Sequence, residues 1–180
     1  MGQLREMLAE ELQDLLHAET LLTKALPQMA QAAHNPRLKE AFEQHLTETE
    51  GHVERLKKAF DLLREKAQPK TCKAMVGLVE EGKEIMSEGK EKPEIAADLA
   101  LITAAQKVEH YEISGYGTVR NLARQIGEIE IAKLMSHTLG EEEGADFLLT
   151  DIAKPMLQDA AAEELATAKA THQKTKTAAR

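Results

Sequence analysis

Residues 8–29 read LAEELQDLLHAETLLTKALPQM, placing Leu8, Leu12, Leu15, Leu22, Leu26 and Met29 in steps of three and four, with Glu19 in mid-stripe. That spacing is the apolar face of a long amphipathic helix. Displaced by 93 residues, 101–122 reads LITAAQKVEHYEISGYGTVRNL, with Glu112 at the place of Glu19. The same offset takes Leu15 to Val108, Leu26 to Val119, Leu38 to Ile131, Phe42 to Met135, Leu46 to Leu139, Glu48 to Glu141, Gly51 to Gly144 and Leu56 to Leu149. The chain is therefore a cryptic duplication of a helix pair, and residues that interrupt its apolar pattern are acidic. Two hairpins with mid-helix carboxylates are what a four-helix bundle needs to hold a pair of metal ions.

Outward from these stripes, the periodicity predicts helices over about 3–33, 36–66, 71–88, 94–126 and 129–153. Pro27 falls inside the first and predicts a kink. Asn35-Pro36 marks a turn, with Asn35 as N-cap, and Gly127 suits a left-handed position after the fourth helix. Pro155 ends or kinks the fifth. Short links make antiparallel hairpins of the first two and last two helices, and the third lies in the long crossover between them. The expected fold is all-α: a ferritin-like four-helix bundle with an extra short crossover helix, as one domain over 1–158. Residues 159–180 carry no acid after Glu164 and include Lys169, Lys174, Lys176 and Arg180, predicting a basic, flexible, solubilising tail.

Composition agrees. Aromatic residues make up 3% of the 180, with no Trp, which favours Ala/Leu/Met helix packing over a sheet. A net charge of −8 opposes generic nucleic-acid binding by the body of the protein and fits acids clustered around bound cations. The single cysteine, Cys72, excludes an internal disulfide and a multi-thiolate metal site, and reads as a small buried residue near a helix start. There is no signal-like N-terminus and no apolar run near the roughly 20 residues of a membrane span, so a soluble cytoplasmic protein is expected.

The informative residues stand where an apolar side chain belongs. Glu19, Glu112 and Glu142 interrupt the stripes of the first, fourth and fifth helices, and His45, Thr49 and His52 that of the second. All lie near mid-helix, where they can meet at one level of the bundle. Glu48, Glu109 and Glu141 flank the stripes by one residue, and Asp146 follows Glu142 by four. Several buried carboxylates repel one another and call for a multivalent cation, and carboxylates with a few imidazoles suit iron or manganese. The metal-ligand candidates are thus Glu19, His45, Glu48, Glu109, Glu112, Glu141, Glu142 and Asp146, with His52 beside them. His17 and His110 face away from the neighbouring acids, and Tyr111 and Tyr116 read chiefly as space-filling.

The diiron pattern of such bundles has Glu on two helices and Glu-x-x-His on the other two. Here the second helix has His45-x-x-Glu48 and Glu48-x-x-x-His52, and the fifth has no histidine except His137, five residues before Glu142. The expected site is carboxylate-rich and departs from conventional diiron chemistry.

The stretches HLTET (45–49), AQKVEHYEI (105–113) and GYG (115–117), with Ala25-Leu-Pro27 and the segment from Cys72 to Leu78, resemble the YciE/YciF family of bacterial stress-associated, ferritin-like proteins. The resemblance covers roughly residues 4–153 and implies a homodimer, a cytoplasmic location and a dinuclear Fe or Mn centre related to that of rubrerythrins. Two functions follow: a metal-binding protein that acts on peroxide, oxygen or iron, and a non-catalytic stress protein whose buried polar layer fixes helix register. An iron-storing cage is less favoured by the acidic body and the crossover helix. No phosphate-binding loop, dinucleotide fingerprint or Ser-His-Asp constellation is present.

Overall fold

The computed structural model describes residues 2–178, with side chains as far as residue 167. Its helices are α1 (Gln3–Ala32), α2 (Pro36–Leu63), α3 (Lys73–Gly89), α4 (Glu94–Gln125) and α5 (Ile129–Ala178). At one end of the bundle Arg5 of α1 donates to the Leu63 carbonyl closing α2 (2.6 Å) and to Glu128 before α5 (2.7 Å). At the other end the backbone N–H groups of His34 and Asn35 donate to Asp98 of α4 (2.9 and 2.7 Å), and Arg37 of α2 reaches Asp151 of α5 (2.6 Å). Hence α1 and α5 run one way, and α2 and α4 the other. The hairpins are α1–α2 and α4–α5; α3 occupies the crossover and packs on α4 and α1.

Local chemistry sets the helix ends. Asn35 Oδ1 accepts from the N–H groups of Arg37 and Leu38 (2.9 and 3.3 Å), and Pro36 sits where its missing N–H costs nothing. The second helix ends at Leu63, not near 66, because Arg64 turns left-handed (φ 55) and Glu65 N–H closes back on the Phe60 carbonyl (3.0 Å). Gly127, at φ 83, takes the left-handed position after α4. The Cys72 sulfur accepts from Met75 N–H (3.3 Å) and caps α3, a role beyond the expected space filling.

One expectation is corrected. The fifth helix does not end near 153 but continues through Pro155 to Ala178. Pro155 is exposed, so the helix can pass it on the solvent side, and Ala160, Ala161, Ala162 and Ala166 beyond it are strong helix formers. The basic side chains expected of the tail lie outside the described residues.

The core is divided. At the Arg5 end Leu8, Leu12, Leu15, Leu56, Phe60, Val119, Ile131 and Met135 form one cluster. At the Asp98 end Leu22, Leu26, Phe42, Leu101, Leu149 and Ile152 belong to a second, which also takes in Cys72 and Met75 beneath α3. Between the two lie the buried polar residues Glu19, His45, Thr49, His52, Glu109, Glu112, Thr138 and Glu142. Gly115 lets α4 approach α1 there: a Cβ on it would stand 2.8 Å from Leu15 Cδ2.

Two stability changes follow. Arg64→Gly removes a left-handed strain and should stabilise the protein by about 0.5–1 kcal/mol. Asp98→Ala leaves two loop N–H groups without their acceptor and should destabilise by about 1–3 kcal/mol. Urea denaturation measures both.

Candidate metal centre

Each long helix delivers its polar residues to one layer because a residue every three or four positions stays on one helical face. α1 supplies Glu19; α2 supplies His45 and His52; α4 supplies Glu109 and Glu112; α5 supplies Glu142. Four of these are fully buried, while Glu109 and His45 keep 3% and 6% exposure. Ligand atoms of His45, Glu109, Glu112 and Glu142 lie within 4.8 Å of one another, and so do those of Glu19, His52 and Glu142. Glu142 belongs to both groups, so the two adjoining positions share a carboxylate.

Glu48 and Glu141 stand behind the histidines. Glu48 Oε2 lies 3.2 Å from His45 Nδ1, and Glu141 Oε2 lies 3.1 Å from His52 Nε2. These contacts turn His45 Nε2 and His52 Nδ1 toward the cluster. A carboxylate on the outer nitrogen that fixes ring orientation is the usual partner of a metal-binding histidine. Arg55, which the sequence reading did not single out, donates through Nη1 and Nη2 to Glu141 (2.6 Å each) and through Nη1 to Thr138 Oγ1 (3.3 Å). No break in helical spacing marks it, because its partner Glu141 lies on a different helix. Tyr116 is also more than filler: it is fully buried, its hydroxyl donates to Glu19 Oε1, and its ring packs edge-on against His52.

Asp146 stays outside. It accepts from Gln106 Nε2 of α4 (2.9 Å) and lies 3.5 Å from exposed His110, so its four-residue spacing from Glu142 does not bring it into the cluster. His17 packs structurally, accepting from Cys72 N–H (3.1 Å), and Tyr111 donates to Asp14.

The protein leaves the inner donor atoms without hydrogen-bond partners: Glu19 Oε2, Glu109 Oε2, both oxygens of Glu112 and of Glu142, His45 Nε2 and His52 Nδ1. His52 Nδ1 lies at ion-pair distance from both carboxylates that flank it, 2.9 Å from Glu142 Oε1 and 3.1 Å from Glu19 Oε1. Buried polar atoms are nearly always satisfied, so this concentration of unpartnered donors fits a cation-binding site. The charges agree: four ionised carboxylates, Glu19, Glu109, Glu112 and Glu142, sum to −4, which two divalent ions offset with both imidazoles neutral.

Without such ions, protons must do this work. Burial raises Glu19, and it raises Glu112 well above the usual carboxylate range with added repulsion from Glu19, Glu142 and Glu109. Burial likewise carries Glu109 to about 8. Burial would depress His45, but Glu109, Glu48 and Glu142 overcome it and hold His45 at about 9. Against the same burial, Glu142 and Glu19 hold His52 at about 10.

The fold and this layer define a class: an all-α bundle of two antiparallel hairpins enclosing a His/carboxylate cluster. Within that class, the chain belongs to the family described as domain of unknown function DUF892, whose model matches residues 3–173. It is 44% identical to protein YciF of Escherichia coli (strain K12) over 154 residues, covering 85% of this chain and 92% of that protein. The crystal structure of the E. coli stress protein YciF superposes with a TM-score of 0.82 at 40% identity, over 88% of this chain and 99% of that one. YcfI of Rhodopseudomonas palustris, provisionally described as a structural protein, matches with a TM-score of 0.78 at 35% identity, over 83% and 94% of the two chains. A Xanthomonas campestris protein at 23% identity shares the fold, with a TM-score of 0.70 over 91% of this chain and 99% of that one. Among the described residues no helix is long and apolar enough to cross a membrane.

The metal-free protein should have an inverted pH dependence. His45, His52 and Glu109 bind protons more tightly folded than unfolded, so their contribution is complete below their unfolded pKa values and is lost as pH rises through the folded ones. In the presence of a chelator, the urea midpoint should fall between about pH 6 and about pH 9, and saturating Mn(II) should flatten that fall. A midpoint that rises with pH in the chelated protein would contradict this electrostatic account.

Proposed function

We propose that the protein is a stress-response protein that holds a carboxylate-rich dinuclear iron or manganese centre in its polar layer and uses it against peroxide, oxygen or excess iron. One observation carries the reading: two interlocking sets of buried donors, joined by Glu142, have inner atoms that no protein group satisfies. Glu109, Glu112, Glu142 and His45 would hold one ion, and Glu19, His52 and Glu142 the other. Carboxylates with imidazoles suit iron or manganese over the softer metals that prefer thiolates. Bound as a pair, such ions supply one-electron redox changes to a small oxidant.

The chain's own residues prepare that chemistry. Glu48 and Glu141 orient the imidazoles, and Arg55 offsets the charge of Glu141. The Tyr116 hydroxyl fixes Glu19 from the Arg5 side. The two apolar clusters above and below shield both ends of the layer from bulk water, which strengthens charge–ligand attraction within it. Stress association comes from the likeness to the E. coli stress protein YciF. The reading includes a homodimer in the cytoplasm; the exposed side chains Phe147 and Leu157 of α5 supply apolar surface for self-association.

The alternative is a non-catalytic protein in which the polar layer fixes helix register, favoured by the description of YcfI. Metal content separates the two. Protein from iron- and manganese-supplemented cells should carry about two ions per chain by inductively coupled plasma mass spectrometry. Glu142→Ala, which removes the shared carboxylate, should lose both ions, whereas Glu19→Ala should keep close to one. Near-zero metal in the wild-type protein would leave the structural reading standing. With metal bound, peroxide consumption should track metal content across these variants.

A further inference from the structure

A cavity of about 230 Å³ lies between α2 and α5, against the cluster. Its walls are apolar: Phe42 from α2, and Ala145, Leu148 and Leu149 from α5. Its inner edge is His45 and Glu109, and it reaches the surface between exposed Gln44 and Gly144. The cluster members with residual exposure are the same two, at 6% and 3%; Glu19, His52, Glu112 and Glu142 have none. Solvent therefore meets the layer on one side, at the His45 position.

The duplication accounts for this one-sidedness. Adding 93 to His52 gives Ala145, which lines the cavity. Beside Glu19, His52 and Tyr116 fill the layer with rings; at the related place on the other side stands a methyl group. The space that His52 occupies in one half is left open in the other.

The geometry points to this cavity as a binding site for a small, uncharged organic molecule with an apolar body, whose polar end lies against His45 and Glu109. The assignment rests on the metal-centre reading for its use, but not for its existence. Volume sets the size: a water claims roughly 30 Å³ and a dry cavity of about 150 Å³ accepts benzene, so this one is much larger than hydrogen peroxide or dioxygen requires. Wall chemistry sets the polarity, since an ionised ligand would lose its hydration against Phe42, Leu148 and Leu149. Charge disfavours anions, because the carboxylates of Glu48 at the rim and Glu109 at the inner edge both line the cavity.

The test uses the full chain as isolated, with benzyl alcohol as probe and benzenesulfonate as an anion of similar size. Saturation-transfer NMR should show benzyl alcohol bound at millimolar concentration and benzenesulfonate unbound. Ala145→Phe, which places a ring in the cavity, should weaken benzyl alcohol roughly tenfold or more, because probe and ring together would overpack the space. Ala145→Leu is the milder variant if the phenyl ring disturbs folding. Metal per chain, measured on the same samples, should be the same in both variants and the wild type. No transfer to benzyl alcohol in the wild type, equal transfer in a folded Ala145 variant, or equal binding of benzenesulfonate would overturn the assignment. A wild type that binds the probe but holds no metal would refute the dinuclear reading and leave the binding site in place.

Discussion

Four carboxylates and two imidazoles buried in one layer are the constraint on which the rest of the structure depends. Withdrawing a single unpaired ion from water costs several kcal/mol even after relaxation. A domain of this size is stable by only about 5–15 kcal/mol in total. Four uncompensated glutamates would consume that margin, so the layer must carry either protons or cations. The apolar clusters on either side, from Leu8 to Phe60 at one end and from Leu22 to Ile152 at the other, provide the burial that keeps four helices together around it. They also create the low dielectric that makes the layer costly when empty of charge and strongly binding when cations are present.

The duplication gives each half a helix with a central glutamate, Glu19 or Glu112, and a helix that faces it. It is broken where the chemistry lies. His45, Thr49 and His52 on α2 correspond to Thr138, Glu142 and Ala145 on α5. One half contributes both imidazoles and the other contributes the shared carboxylate. The pseudo-symmetry explains why the donors share a level, and its breakage explains why the two donor groups differ in composition and in access.

Much of this was legible in the sequence because helical periodicity exposes a glutamate in a leucine stripe as plainly as a gap. The hairpins, the crossover helix, the Asn35 cap and the shared level of Glu19, His45, Glu112 and Glu142 all follow from spacing. Spacing alone does not settle rotamers or partners across helices. Glu48 and Glu141 looked equivalent to Glu109 as flanking ligands, yet they turn outward to the histidines while Glu109 turns in. Asp146 has the right interval from Glu142 but meets Gln106 first. The pairing of Arg55 with Glu141 joins two helices and leaves no mark on the spacing of either. The course of α5 past Pro155 was hidden for a different reason: a proline penalises a helix, but its placement on the exposed face and the alanines after it decide the outcome.

Anomalous diffraction from crystals of the metal-loaded protein, recorded at the iron and manganese absorption edges, tests the central claim most directly. The account predicts two anomalous peaks in the polar layer, one beside His45, Glu109 and Glu112 and one beside Glu19 and His52. Absence of any peak after loading, with the carboxylates hydrogen-bonded to one another through shared protons, would contradict it.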